Sequence, residues 1–212
     1  MLSFDEWNVS YHYSQKQHKV ERWSVAPPLL EDAYTMEDAL VVGTLLITLL
    51  RHADRVKMAC IAQLVNVIAP IMTETGGRCW RQTIFWPLFH TSKFGRGEAL
   101  QVVVQSPTYE LPDRSPIPVL EAIATRDDGT LTIFAVNKSA DVLPVEVDLR
   151  ATGAIRVIEH LVLEHADLKA TNTGDQPNRV APHTGDQSRL DGGRLETRLA
   201  RYSWNVIRLA TR

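Results

Sequence analysis

The sequence predicts an α/β segment followed by an all-β one, and three observations carry that prediction. Stretches at 2–7, 36–52 and 56–60 read in order as strand, helix and strand, the grammar of a parallel sheet. Gly95 and Gly97 then close a helical stretch, and the pattern changes between Gly95 and Leu100. Beyond that point Val145-Glu146-Val147-Asp148-Leu149-Arg150 alternates strictly between apolar and charged residues, the two-residue period of a half-exposed strand.

The elements follow in turn. Leu2 to Trp7 reads as a buried strand, leading into a polar, aromatic loop with Trp7, Asn8, Tyr11, His12 and Tyr13. Gln15 to Arg22 is charged and reads as a surface turn or flexible loop, and Pro27-Pro28 punctuates the chain after it. Thr35-Met36-Glu37-Asp38 supplies an N-cap and first-turn acids for a helix to His52. The unbroken apolar run Ala39 to Leu50 predicts that this helix is buried on several sides. Val56 to Cys60 is a short apolar strand, Asn66 to Met72 a second apolar run, and Gly76-Gly77 a turn. Arg81 to Phe94 has helical apolar spacing that Pro87 is expected to interrupt. Strands are then predicted at 130–137, 145–150, 155–163, 195–199 and 203–209, with Asp127-Asp128-Gly129 as a turn before the first. Thr171 to Gly193, rich in Thr, Asn, Gly, Asp, Gln and Pro, reads as a long surface loop. Short strands separated by turns point to a sandwich.

Composition narrows the function. The chain has 212 residues, enough for a sizeable core and about one to two domains. It carries 23 basic and 25 acidic residues, so no basic stripe is available for phosphates and no nucleic acid is expected as a partner. Hydrophobic residues at 44% and charged ones at 23% match an ordinary folded protein. The longest apolar run is well short of the roughly twenty residues a membrane span needs, so no membrane association is expected. The residues from Met1 to Glu6 have no basic region and no signal-like core, which predicts a cytoplasmic protein. Two cysteines, Cys60 and Cys79, exclude a disulfide scaffold and match no metal-ligand spacing; they read as a buried packing thiol and a loop thiol. No cofactor and no metal is expected. His160 and His165 are five apart rather than one helical turn. Gly95-Arg96-Gly97 is a stop signal rather than a phosphate loop, and Trp204 reads as sandwich core.

The residues most suited to chemistry are Ser3-Phe4-Asp5-Glu6-Trp7-Asn8, where carboxylates end an apolar strand among aromatics. In parallel β/α folds, catalytic groups project from the C-terminal ends of strands. Alternation places Asp5 and Glu6 on opposite faces, so one of them can enter a shared site. An acid beside aromatic rings suits sugar chemistry: the ring packs on the C–H face while the carboxylate addresses the anomeric carbon. A solvated strand end is the competing reading of the same residues.

Ser3 to Val9 resembles the nucleophile strand of the glycoside hydrolase family fifty-one α-L-arabinofuranosidases. Val25-Ala26-Pro27-Pro28-Leu29-Leu30-Glu31-Asp32 is similar to that family's following loop, and Cys60 to Ile71 to its last barrel strand and loop. Ile133-Phe134-Ala135-Val136-Asn137 and Ser203 to Leu209 resemble its C-terminal sandwich, so the likeness runs in order along essentially the whole chain. It implies a partial (β/α)8 barrel, its last two β/α units, over residues 1–97, followed by an antiparallel β-sandwich over 98–212. It also implies Glu6 as catalytic nucleophile of a retaining enzyme and Gln63 as a residue that hydrogen-bonds the arabinofuranose. The partner implied is an arabinofuranosyl-containing oligosaccharide, and the full-length family forms homo-oligomers. Two departures stand out. Ser10 occupies a position where the family carries a Trp. The family's general acid/base sits in an Asn-Glu pair on an earlier strand, and no such dipeptide occurs here. Glu74 is the best internal substitute, with a loop acid as its plainer reading; Glu31 and Asp32 read as helix-flanking acids. The chain is therefore expected to be the C-terminal portion of such an enzyme, inactive in isolation. The alternatives are a non-catalytic carbohydrate-binding or assembly module, and one half of a split enzyme.

Overall fold

A computed structural model describes residues 1–9, 21–25, 27, 31–112 and 114–212. In chain order they form β1 (Leu2–Trp7), α1 (Met36–Arg51), β2 (Val56–Ile61), β3 (Ile71–Thr73), β4 (Cys79–Arg81), α2 (Phe85–Phe94) and β5 (Glu98–Leu100). There follow β6 (Thr108–Tyr109), β7 (Ile117–Pro118), β8 (Leu120–Asp127), β9 (Thr130–Asn137), β10 (Leu143–Asp148) and β11 (Ala154–Leu163). The last are β12 (His183–Thr184), β13 (Arg189–Asp191), β14 (Arg194–Leu199) and β15 (Ser203–Thr211). The expected loop at 15–22 and Ser10 lie largely or wholly outside the described residues.

The α/β part is one strand–helix–strand unit, with β1 and β2 paired in parallel. Helix α1 begins as its sequence predicts. Thr35 sits in the extended region, and its Oγ1 accepts from the Asp38 N–H, while the Asp38 carboxylate accepts from the Thr35 N–H at 2.7 Å. This reciprocal capping box satisfies donors that the first turn leaves open. Helix α2 corrects the expectation about Pro87. The helix starts only at Phe85, so Pro87 falls in its first turn, where no intrahelical partner for its nitrogen is required. Gly95 ends the helix: a Cβ there would lie 2.6 Å from the Thr91 carbonyl oxygen.

The all-β part is a sandwich of unequal sheets. One antiparallel sheet has six strands in the order β12-β11-β15-β9-β8-β5, and the other has three, β10-β14-β13. The larger sheet is buried on both faces. Leu120, Ala122, Ala124, Leu131, Ile133, Ile207 and Leu209 meet Leu195, Leu199 and Leu149 of the smaller-sheet side. From the opposite face Ile123, Phe134, Val136, Trp204 and Val206 pack against Met36, Ala39, Leu40 and Ile47 of α1. The result is three layers: helices, a wide sheet and a narrow sheet. Because the narrow sheet covers only part of its neighbour, an apolar cleft of about 450 Å³ stays open over Ala122, Ala124, Leu131 and Ile133. None of the sequence-predicted site residues lines it.

Three further expectations change. Strand β1 is exposed except at Trp7, and its Leu2 and Phe4, with Met58 of β2, are 46–57% exposed, because among the described residues little covers this two-stranded sheet. Cys60 is exposed rather than buried, for the same reason. The stretch 171–193 is no simple surface loop. It contains β12 and β13, and Asn172 and Val180 within it are buried. The Asn172 side chain donates to the carbonyls of Arg81 and Val180 and accepts from the Val180 N–H, so an amide does the work of a strand partner. No helix among the described residues is long and apolar enough to cross a membrane.

Candidate active site

Glu6 and Gln63 lie at the C-terminal ends of two neighbouring parallel strands. Trp7 of β1 is in register with Ile61 of β2, and the Ala62 N–H donates to the Trp7 carbonyl at 2.9 Å. Gln63 is the next residue, joined to Ala62 by a cis peptide bond. Both Glu6 and Gln63 are solvent-exposed. The pairing thus puts on neighbouring strand ends two residues that the sequence separates by more than fifty positions.

The end of β1 is bulged. From Phe4 to Trp7 the strand takes three residue steps while β2 takes two, from Ala59 to Ile61. Such an extra residue breaks strict alternation and re-aims the side chains beside it. Asp5 and Glu6 lie within this irregular stretch, and both are exposed. Trp7, by contrast, turns inward and packs with Val9, Tyr34, Val42, Leu46 and Ile84. The indole anchors the strand end to the helical layer and leaves the carboxylates toward solvent.

The loop from Ala62 to Pro70 is held by buried polar groups that sequence reasoning missed. Asn8 Nδ2 donates to the carbonyls of Ala62 at 2.8 Å and Ile68 at 2.7 Å. The Tyr34 hydroxyl also donates to the Ile68 carbonyl, and the Asp32 N–H to that of Val67. Gln82, buried, donates to the carbonyls of Asp32 and Ala69 and accepts from the Tyr34 N–H. Burial, reinforced by Asp32 and Asp38, pushes the Tyr34 phenol well above its ordinary range, so it remains a donor. At the far end of the loop Asn66 binds the N–H and hydroxyl of Thr73, fastening it to the β3–β4 hairpin. Only Asn8 had a sequence signal, inside the motif around Glu6; Tyr34 and Gln82 had none.

Other sequence candidates go elsewhere. Glu74 forms a two-pronged pair with Arg78, both contacts at 2.9 Å, and Arg78 also binds Asp175. The Arg78 guanidinium holds the Glu74 carboxyl below the usual range, which suits an ionised structural partner and not a proton donor at neutral pH. Asp32 is buried beneath the loop. His160 is buried in the sandwich, where its ring bonds Asn205 and Ser188. Trp204 is fully buried, as core. Among the described residues no group of three or more His, Cys, Asp and Glu side chains is placed to hold a metal ion.

Comparisons with known proteins agree on parentage. The family model described as the α-L-arabinofuranosidase C-terminal domain matches residues 5–203. The intracellular exo-α-(1→5)-L-arabinofuranosidase of Halalkalibacterium halodurans is 54% identical over 211 residues, covering 98% of this chain and 42% of the relative. The corresponding enzyme 1 of Bacillus subtilis is 52% identical over 210 residues, with the same two coverages. The solved structure of AbfB, a family 51 α-L-arabinofuranosidase from Bifidobacterium longum, matches with a TM-score of 0.88 at 38% identity, over 98% of this chain and 41% of that one. The chain therefore spans about 42% of the length of these curated relatives. With its fold and nearly its whole length matched, the chain belongs to the α-L-arabinofuranosidase C-terminal domain family, as the C-terminal portion of a family 51 glycoside hydrolase.

Proposed function

We propose that this chain carries the nucleophile half of a retaining α-L-arabinofuranosidase acting on terminal non-reducing α-L-arabinofuranosyl groups of oligosaccharides. The observation that carries the reading is the placement of Glu6 and Gln63 on adjacent parallel strand ends, within the region matched by relatives named exo-α-L-arabinofuranosidases. In this reading residues 1–97 are the end of a (β/α)8 barrel and 98–212 the sandwich domain. The relatives' names also support a cytoplasmic location, and a homo-oligomeric assembly belongs to the same reading.

The chemistry follows from the groups present. A Glu6 carboxylate oxygen bonds to the anomeric carbon as the glycosidic C–O bond breaks, and the leaving oxygen takes the electron pair. Water then attacks the same carbon and releases the sugar with retained configuration. Gln63, able both to donate and to accept, holds a sugar hydroxyl during both steps. A second carboxyl must protonate a poor leaving group, a contribution of roughly 10²–10⁴-fold. Glu74, tied to Arg78, is unsuited to it. We assign that acid to polypeptide outside these 212 residues, so the chain alone turns over ordinary substrates very slowly.

The exposure of Leu2, Phe4 and Met58 on β1 and β2 supports the need for neighbouring strands, whether these belong to the same polypeptide or, in a split-enzyme reading, to a separate one. An aryl arabinofuranoside with a dinitrophenolate leaving group tests the core of the proposal, because that group departs without protonation. The chain should release dinitrophenolate and gain the mass of one pentosyl group, and Glu6→Ala should abolish both. Adding the segment of the Halalkalibacterium relative that this chain does not match should restore turnover of ordinary substrates. Sugar binding with no covalent adduct would instead identify a carbohydrate-binding module.

A further inference from the structure

We propose that Asn8 is a positioning residue: its side-chain amide sets the spacing between the strand end that carries Glu6 and the loop that carries Gln63. The inference rests on the roles given to those two residues above.

A primary amide has two N–H donors and one carbonyl acceptor. Asn8 uses all three. Its two Nδ2 bonds go to Ala62 and Ile68, carbonyls at the two ends of one loop, and its Oδ1 accepts from the Val9 N–H at 2.8 Å. The amide therefore closes the loop across its base, six residues apart, and pins its own backbone at the same time. Three other donors reach the far side of the loop: Asp32 reaches Val67, Tyr34 reaches Ile68, and Gln82 reaches Ala69. Among the side-chain hydrogen bonds of the described residues, only that of Asn8 reaches Ala62, the residue that precedes Gln63. It does so from two positions after Glu6.

Geometry of this kind matters more for chemistry than for folding. A partly buried pair of hydrogen bonds contributes about 1–2 kcal/mol to stability, whereas a displacement of about 1 Å between reacting groups costs up to 10²-fold in rate. Loss of the amide should let the Gln63 loop drift from Glu6 while the sandwich stays folded.

The substitution Asn8→Asp tests this, because it keeps the shape and the Oδ1 acceptor but removes both donors at neutral pH. Two readouts on the full chain decide it. In amide hydrogen exchange, residues 62–68 should exchange about tenfold faster than wild type, with β9 and β15 unchanged. The rate of pentosyl-adduct formation from the dinitrophenyl arabinofuranoside should fall about tenfold or more. Lowering the pH until the introduced carboxyl regains a proton, and with it one donor, should slow the loop's exchange again relative to wild type at the same pH. Unchanged loop exchange, or an increase spread evenly over the whole chain, overturns the proposal. So does faster loop exchange with an unaltered adduct rate. If wild type forms no adduct, the reading of Glu6 fails; the exchange experiment still decides whether Asn8 holds the loop.

Discussion

The indole Nε1 of Trp204 donates to the Nδ1 of His90 across 3.2 Å, joining the wide sheet to helix α2 inside the core. An indole nitrogen only donates, so Nδ1 of His90 must accept and the ring must be neutral. The surroundings enforce this. Burial pushes the His90 imidazole down to about 4, with Lys93 adding to the effect and Glu159 opposing it. The sign of the pH dependence follows. Above about pH 6.5 both native and unfolded chains carry a neutral ring, and His90 contributes nothing to pH dependence. Between there and about 4 the unfolded chain binds a proton that the native chain refuses, so stability falls as the pH falls. The loss should approach ~3 kcal/mol at the low end. His90→Gln keeps an acceptor for the indole but cannot titrate. Urea unfolding of both proteins across this range should show a shallower decline for the variant; equal slopes would refute the assignment.

Gly43 is a point of close approach between α1 and the wide sheet. A Cβ added there would lie 2.6 Å from Cε3 of Trp204 and 3.3 Å from a methyl of Val136. Alanine raises intrinsic helix propensity by about 1 kcal/mol, but overpacking a dense core costs typically 1–3 kcal/mol. Trp204 is fully buried and its ring stacks on Phe134 with centroids 5.7 Å apart, so it has little room to yield. Gly43→Ala should therefore lower stability by up to about 2 kcal/mol net, read from the denaturant midpoint. A more stable variant would mean that the helix can slide.

The cap of the same helix makes an independent prediction. Thr35→Ala removes the Oγ1 acceptor for the Asp38 N–H and the hydroxyl donor to Asp38 Oδ2 at 2.9 Å. The expected cost is about 1 kcal/mol. Thr35→Ser keeps both contacts and should recover most of it. Equal losses for Ala and Ser would point to the Thr methyl rather than the cap.

How much of this was legible in sequence depends on the range of the contacts. Helix α1 was readable to within a residue, because a capping pattern and a long apolar run are local signals. Strand β8 went unread: it is buried on both faces between β9 and β5, so its residues show no two-residue alternation. The layering was hidden too, since Met36 and Ala39 belong to the helix while their partners Phe134 and Trp204 lie about a hundred or more residues on. Glu6 and Gln63 stood out through whole motifs rather than through any property of a lone acid or amide. The support beneath them did not stand out. Asn8 meets Ala62 across 54 residues and Tyr34 meets Gln82 across 48, and no periodicity marks such pairs.

The sandwich holds a directed relay of hydrogen bonds whose energetics should be non-additive. His160 is buried, and burial pushes its imidazole below the ordinary range, so the ring is neutral near pH 7. Its Nε2 lies 3.1 Å from Asn205 Oδ1 and its Nδ1 lies 2.9 Å from Ser188 Oγ. Asn205 Oδ1 can only accept, so Nε2 carries the hydrogen and Nδ1 accepts a hydrogen bond from the Ser188 hydroxyl. Ser188 Oγ then accepts from Thr197 Oγ1 at 2.9 Å, which links β14 of the narrow sheet to β11 of the wide one. Ser188→Ala removes the middle of the relay and strands both His160 Nδ1 and the Thr197 hydroxyl, at a cost of about 2 kcal/mol. Thr197→Val alone removes one bond and leaves Ser188 with an unused acceptor, costing about 1 kcal/mol. Adding Thr197→Val to Ser188→Ala takes away a group that is already stranded. The double variant should therefore be no less stable than Ser188→Ala, and a loss equal to the sum of the two single changes would show that the relay is not a unit.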